Sequence, residues 1–201
     1  ECRIVSTYNQ HLSGEAQELL LDYRIEAAAV NLDPFVAVGD APPQISERIP
    51  MGDGTVDGVL MAHVIEHLYH PRAVLREAAR VLKPGGRILV TTDNAFLLGA
   101  FLQFLGDRRF VHEPVEGTAA MAFHAWRGHV RFYSGEDLQV LLTEAGFDAG
   151  AREYYEVHYN SEPEEQFVRP NVTVPEWRAR LLGEFPEFRN EIFVCGVKDG
   201  G

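Results

Sequence analysis

Asp57-Gly58-Val59-Leu60-Met61-Ala62-His63-Val64-Ile65-Glu66-His67-Leu68-Tyr69-His70-Pro71 leads through Arg72 and Ala73 into Val74-Leu75-Arg76-Glu77-Ala78-Ala79-Arg80-Val81-Leu82-Lys83-Pro84-Gly85-Gly86-Arg87-Ile88-Leu89-Val90. Val56 to Ala62 is a short apolar run that begins beside an acid, the pattern of a buried parallel strand. From Pro71 onward, Val74, Ala78, Val81 and Leu82 recur at helical spacing, with Arg72, Arg76, Glu77 and Arg80 on the other face. This predicts an amphipathic helix with proline in its first turn. Lys83-Pro84-Gly85-Gly86 ends it, because proline cannot continue a helix and glycine permits the positive φ of a C-terminal cap. Arg87 to Thr92 is the next strand. Strand, helix, glycine turn and strand form a right-handed βαβ unit, the building block of a parallel sheet with helices on its faces.

Working outward, residues 26 to 33 form another apolar run ending in an acid, Asp33. Asn94 to Leu105 is apolar and predicts a helix near the carboxyl ends of the strands. Residues 106–132, rich in His, Phe, Trp and Arg, read as a lid or substrate loop. Ser134, with Asp137 three residues on, predicts a capped helix running through Leu138, Leu141, Leu142 and Ala145 to Gly146. Ala151–His158 and Ile192–Val197 read as two closing strands. The stretch 160–190 reads as a surface insertion with a short helix near Trp177. Residues 1–201 are expected to form a single domain carrying these two insertions.

The chain has 201 residues, 46% of them hydrophobic and 24% charged, which suits one globular core and excludes a disordered or fibrous chain. Its formal net charge of −12 opposes approach to nucleic-acid or anionic-lipid phosphates, so neither partner is expected. No apolar stretch approaches the ~20 residues of a membrane span and no signal-peptide pattern opens the chain, so a cytoplasmic protein is expected. Cys2 and Cys195 make no disulfide framework. The oligomeric state is left open, a homodimer included.

The segment from Asp57 to Val90 strongly resembles the class I S-adenosylmethionine-dependent methyltransferases, in particular the small-molecule branch with Glu66-His67-Leu68 after the fourth strand and Leu82-Lys83-Pro84-Gly85-Gly86 after the next helix. The likeness extends over roughly residues 26–150. It implies an α/β, Rossmann-like doubly wound fold: a mostly parallel sheet with an antiparallel late strand. It also implies S-adenosylmethionine as cofactor and a small-molecule acceptor. Asp33 corresponds to the acid that accepts hydrogen bonds from the ribose hydroxyls, and Asp40-Ala41 to the loop beside the adenine. Ala62 and His63 lie at the strand end facing the cofactor. Physical logic agrees, since open parallel sheets bind ligands beyond the carboxyl ends of their strands and a carboxylate can accept both hydroxyls of a diol.

One departure concerns the glycine-rich loop that follows the family's first strand. Arg3 to Ser13 contains no glycine. Either Ser6, Thr7, Tyr8 and Asn9 replace the loop, with Ser6 and Tyr8 contacting the cofactor, or the loop lies upstream of Glu1, or cofactor binding has been lost. The last case would make the protein a catalytically inactive binding or interaction module. Methyl transfer needs a general base only when the acceptor must lose a proton. Histidine is the natural base near neutral pH, and His63 and then His124 are the expected candidates. Glu66-His67 with His63 has a spacing compatible with a divalent ion, but spacing without geometry assigns no metal.

Overall fold

The computed structural model describes residues 4–8, 18, 20–30, 48–107, 129–156 and 176–200. Its strands are β1 (Ile4–Tyr8), β2 (Ile25–Ala29), β3 (Val56–Ala62), β4 (Leu82–Asp93), β5 (Phe147–Tyr155) and β6 (Glu191–Lys198). The helices used below are α1 (Pro71–Val81), α2 (Leu98–Asp107), α3 (Gly135–Glu144) and α4 (Glu176–Glu184), with a 3-10 turn at Ile65–His67. β1 and β2 form a parallel pair, and the remaining strands form a sheet in the order β3-β4-β6-β5. β3 and β4 run parallel, whereas β6 is antiparallel to both its neighbours. The fold is therefore Rossmann-like, with one reversed late strand, as the resemblance implies. No described helix is long and apolar enough to cross a membrane.

The βαβ unit forms as read. Pro71 occupies the first turn of α1, where its missing N–H costs nothing, and Val74, Leu75, Ala78 and Val81 are buried. Val74, Leu75 and Ala78 pack with Leu82, Ile88 and Val90 of β4 and with Leu138, Leu141 and Leu142 of α3, so α1 and α3 cover the same face of the sheet. Glu77 departs from the polar face assigned to it: it is buried, accepts from the Ile49 amide at 2.9 Å, and is bound by Arg80. Arg80 also donates to the carbonyls of Ile49 and Met51, fastening the segment before β3 to the helix. The glycine turn survives as a bulge within β4. Val56 pairs with Leu82 and Gly58 with Arg87, so Lys83–Gly86 loops out between them. Gly85 sits at φ +74°, and a Cβ on Gly86 would lie 2.8 Å from the Lys83 carbonyl. Both positions therefore require glycine for different reasons.

Ser134 and Asp137 form the expected reciprocal cap: the Asp137 amide donates to Ser134 Oγ and the Ser134 amide to Asp137 Oδ2. Such a cap is worth ~1 kcal/mol. Asp137, shorter than the usual Glu, still reaches. The late strands begin earlier than expected, β5 at Phe147, and α4 contains Trp177. β2 ends at Ala29, short of the expected Asp33, which lies outside the described residues.

Candidate functional site

β3 and β4 run parallel and end at Ala62 and Asp93, while the reversed β6 begins at Glu191, so these three positions share one edge of the sheet. Asp93 and Glu191 are register partners. The chain leaves β3 through His63, whose φ of +49° is in the left-handed region. Such a backbone is uncommon for a side-chain-bearing residue and persists only where the surroundings hold it. Here they do: His63 Nδ1 lies 3.2 Å from Glu66 Oε1 and Nε2 lies 3.0 Å from Glu191 Oε2. The His63 amide also donates to the Thr91 carbonyl at 3.0 Å.

Both glutamates are almost fully buried, at 1% exposure. Ionised carboxylates in that position need a compensating cation. His63 provides it: hydrogen bonding to Glu191 and Glu66 outweighs burial and raises its pKa to about 10. Burial would raise the Glu66 pKa, but the hydrogen bond from His63 and one from the backbone overcome it and hold the group below its ordinary range. Asp93 moves the other way, raised by burial first and then by the Glu191 charge. His63, charged in this way, bridges the two carboxylates.

Two more histidines complete the cluster. His67 sits in the 3-10 turn, and its ring lies 4.8 Å from that of His129, centroid to centroid. His129 Nδ1 lies 3.5 Å from Asp93 Oδ2. The two segments are sewn together by the Val130 and Arg131 amides, which donate to the Glu66 carbonyl at 2.9 and 3.3 Å. Nearby, Asn94 donates to the carbonyls of Glu187 and Arg189 and accepts from the Phe96 amide, anchoring the end of β4.

Of the other residues expected at the site, Ala62 is exposed at the end of β3, and Ser6 and Tyr8 belong to β1. Tyr8, last in β1, pairs with Ala29, last in β2, so the carboxyl ends of these two strands point the same way. Asp33, Asp40, Ala41 and His124 lie outside the described residues. Glu191 had no local signal, since it reads as an ordinary acid before an apolar strand. Only the reversal of β6 brings it to the site.

Residues 9–150 match the family described as methyltransferase domain. The chain belongs to this family. The demethylmenaquinone methyltransferase of Protochlamydia amoebophila is 27% identical over 161 residues, spanning 72% of this chain and 64% of that protein. The ubiquinone biosynthesis O-methyltransferase of Caulobacter vibrioides is 32% identical over 123 residues, 61% of this chain and 45% of that protein. The chain therefore spans 64% and 45% of the length of these two relatives. An S-adenosylmethionine-dependent methyltransferase from Mesorhizobium loti superposes with a TM-score of 0.55 at 13% identity, covering 98% of this chain and 80% of that one. That likeness concerns the fold. The methyltransferase-domain match agrees with the family expected from Asp57 to Val90.

Proposed function

We propose that this methyltransferase-domain chain binds S-adenosylmethionine across the carboxyl edge of its strands and transfers the methyl group to a small-molecule acceptor in the cytoplasm. The observation that carries the reading is the family match over residues 9–150, which spans β3, His63 and the βαβ unit that builds the cleft. The cofactor's donor groups suit the residues present. β1 and β2 run parallel, so their carboxyl ends lie on one side, and Asp33, which follows β2 by a few residues in the sequence, is the acid assigned to the ribose diol. Ala62 is exposed at the end of β3.

Bound S-adenosylmethionine supplies a methyl group on a sulfonium, a leaving group that needs no protonation. The chain's task is then largely positioning. An acceptor lone pair forms the new bond to the methyl carbon while the old bond's electrons return to sulfur. Where the acceptor carries a proton, His124 is the proposed base. Asp33 would hold the ribose, Asp40 and Ala41 the adenine, and Ser6 and Tyr8 the methionine end, with Ala62 and His63 at the end of β3 completing the cofactor-binding set. The quinone precursors named for two relatives make a phenolic or enolic acceptor the first class to assay. Calorimetry should show binding of S-adenosylmethionine and of its demethylated product, with Asp33→Ala weakening both at least ~100-fold, the loss of about two charge-assisted hydrogen bonds. Transfer of radiolabelled methyl to a phenol panel would exclude the inactive-module alternative. Absence of binding by the wild-type chain would overturn the proposal.

A further inference from the structure

We propose that Glu191 sets the charge preference of the cofactor cleft: it leaves the His63 turn with one negative charge in excess, which favours a cationic sulfonium over the neutral thioether that remains after methyl transfer. The proposal rests on the S-adenosylmethionine reading above. Its structural basis is the set of groups around the end of β3. His63 meets Glu66 at 3.2 Å and Glu191 at 3.0 Å, one carboxylate on each ring nitrogen. Both glutamates are 1% exposed, whereas the His63 side chain is 39% exposed. Two buried carboxylates and one imidazolium sum to a single negative charge, and His63 is the member that solvent reaches.

The surrounding residues leave that excess in place. The charges that act most on His63, Glu66 and Asp93 are one another's and those of Glu191 and His129. Asp93, the register partner of Glu191, is pushed toward its neutral form by burial and then by the Glu191 charge. His129 stands 3.5 Å from it. Buried carboxylates in excess over cations are costly, and a bound cation offsets that cost. Glu66 is not an equivalent lever, because its carboxylate also takes hydrogen bonds from its own backbone and from Thr92, and its loss disturbs the turn itself. Glu191 comes from β6 and reaches the turn through His63, so its charge can be removed while the turn's own hydrogen bonds stay.

S-adenosylmethionine and its demethylated product, S-adenosylhomocysteine, differ at one atom: the sulfur carries a methyl group and a positive charge in the first and neither in the second. Contacts to the adenine, the ribose and the amino-acid end are open to both, so they set affinity without choosing between the two. A charge near the sulfur end makes the choice. One buried unit charge acting across a single ring in a protein interior is worth about 10-fold in affinity. The same preference helps the spent cofactor to leave, because the neutral product no longer offsets the excess charge.

The test is calorimetry on the full chain with two ligands: sinefungin, in which a protonated amine replaces the methylated sulfonium, and S-adenosylhomocysteine. Salt at about 0.5 M screens exposed charges and leaves buried ones largely unscreened. Wild type should bind sinefungin ~10-fold more tightly than S-adenosylhomocysteine. Glu191→Gln should remove most of that ratio, and Glu191→Asp, which keeps the charge, should hold it within ~2-fold of wild type. A Glu191→Gln chain weakened equally toward both ligands has lost structure and not charge preference, and that result overturns the proposal. A wild-type ratio near one overturns it as well, and because this ratio is read without any substitution, a variant that fails to fold does not protect the idea. Failure of wild type to bind either ligand overturns the methyltransferase reading together with the proposal, whereas binding of both without preference overturns the proposal alone.

Discussion

Replacing Arg80 with methionine keeps the apolar stem but removes a guanidinium that holds α1 to the segment entering β3. Arg80 donates to Glu77 through Nε at 2.8 Å and Nη2 at 2.6 Å, and to the Ile49 and Met51 carbonyls at 3.1 and 3.0 Å. Glu77 is 5% exposed and Arg80 17%. Breaking a buried ion pair costs ~3–5 kcal/mol, mostly because the surviving charge is stranded. Arg80's residual access to water, and the Ile49 amide still bound to Glu77, favour the lower end. We expect a loss of about 3 kcal/mol near pH 7, which for a chain of this size lowers Tm by roughly 6–12 °C.

The pH dependence separates this explanation from a loss of packing. The Arg80 hydrogen bonds outweigh burial and hold the Glu77 pKa below its ordinary value. A carboxyl depressed in the folded state contributes stability above its unfolded pKa and loses it as pH falls through the folded one. The stability gap between wild type and Arg80→Met should therefore be full near pH 7 and narrow below about pH 4, as Glu77 takes up its proton. Urea melts at about pH 7 and about pH 3.5 measure it, using the linear dependence on denaturant. A gap below ~1 kcal/mol, or one of equal size at both pH values, would refute the reasoning, since neither is compatible with a stranded carboxylate.

Gly86→Ala forces a Cβ to within 2.8 Å of the Lys83 carbonyl and 3.2 Å of the Asp57 carbonyl, both backbone, and should cost ~1–3 kcal/mol. Gly85→Ala meets no atom within 4 Å and strains only φ, costing ~1 kcal/mol; thermal melts should rank Gly86→Ala as the more damaging, and the reverse order would contradict the bulge. His63→Leu strands Glu66 and Glu191 and should destabilise by ~3 kcal/mol, while adding Glu191→Gln should recover part of that loss. Independent, additive costs in the double-mutant cycle would show that His63 and Glu191 are not coupled.

The βαβ unit was legible because each of its boundaries carries a local cause: Pro71 at the helix start, Gly85 at a positive φ and Gly86 at a close backbone approach. The Ser134 cap was legible for the same reason. Glu77 was misplaced because helical spacing sees an acid beside arginines as a solvated face, whereas the Ile49 amide and Arg80 draw it inward. At the site, His63 could be placed from its strand, but its charge could not. That depends on Glu191, more than a hundred positions later, and on burial of both carboxylates. His129 was visible only as one histidine of a loop, because its partners, Asp93 and His67, are set by tertiary packing.

The reversal of β6 imposes an order in time as well as in space. Among the described strands, β5 pairs only with β6, and β6 inserts between β4 and β5. A ribosome that has finished β5 has therefore produced a strand whose described ladder partner does not yet exist and a His63 lacking one of its two carboxylates. The edge and the charged cluster are completed by the same late event, the arrival of Glu191–Lys198, so during synthesis the site should become whole only when the sheet closes.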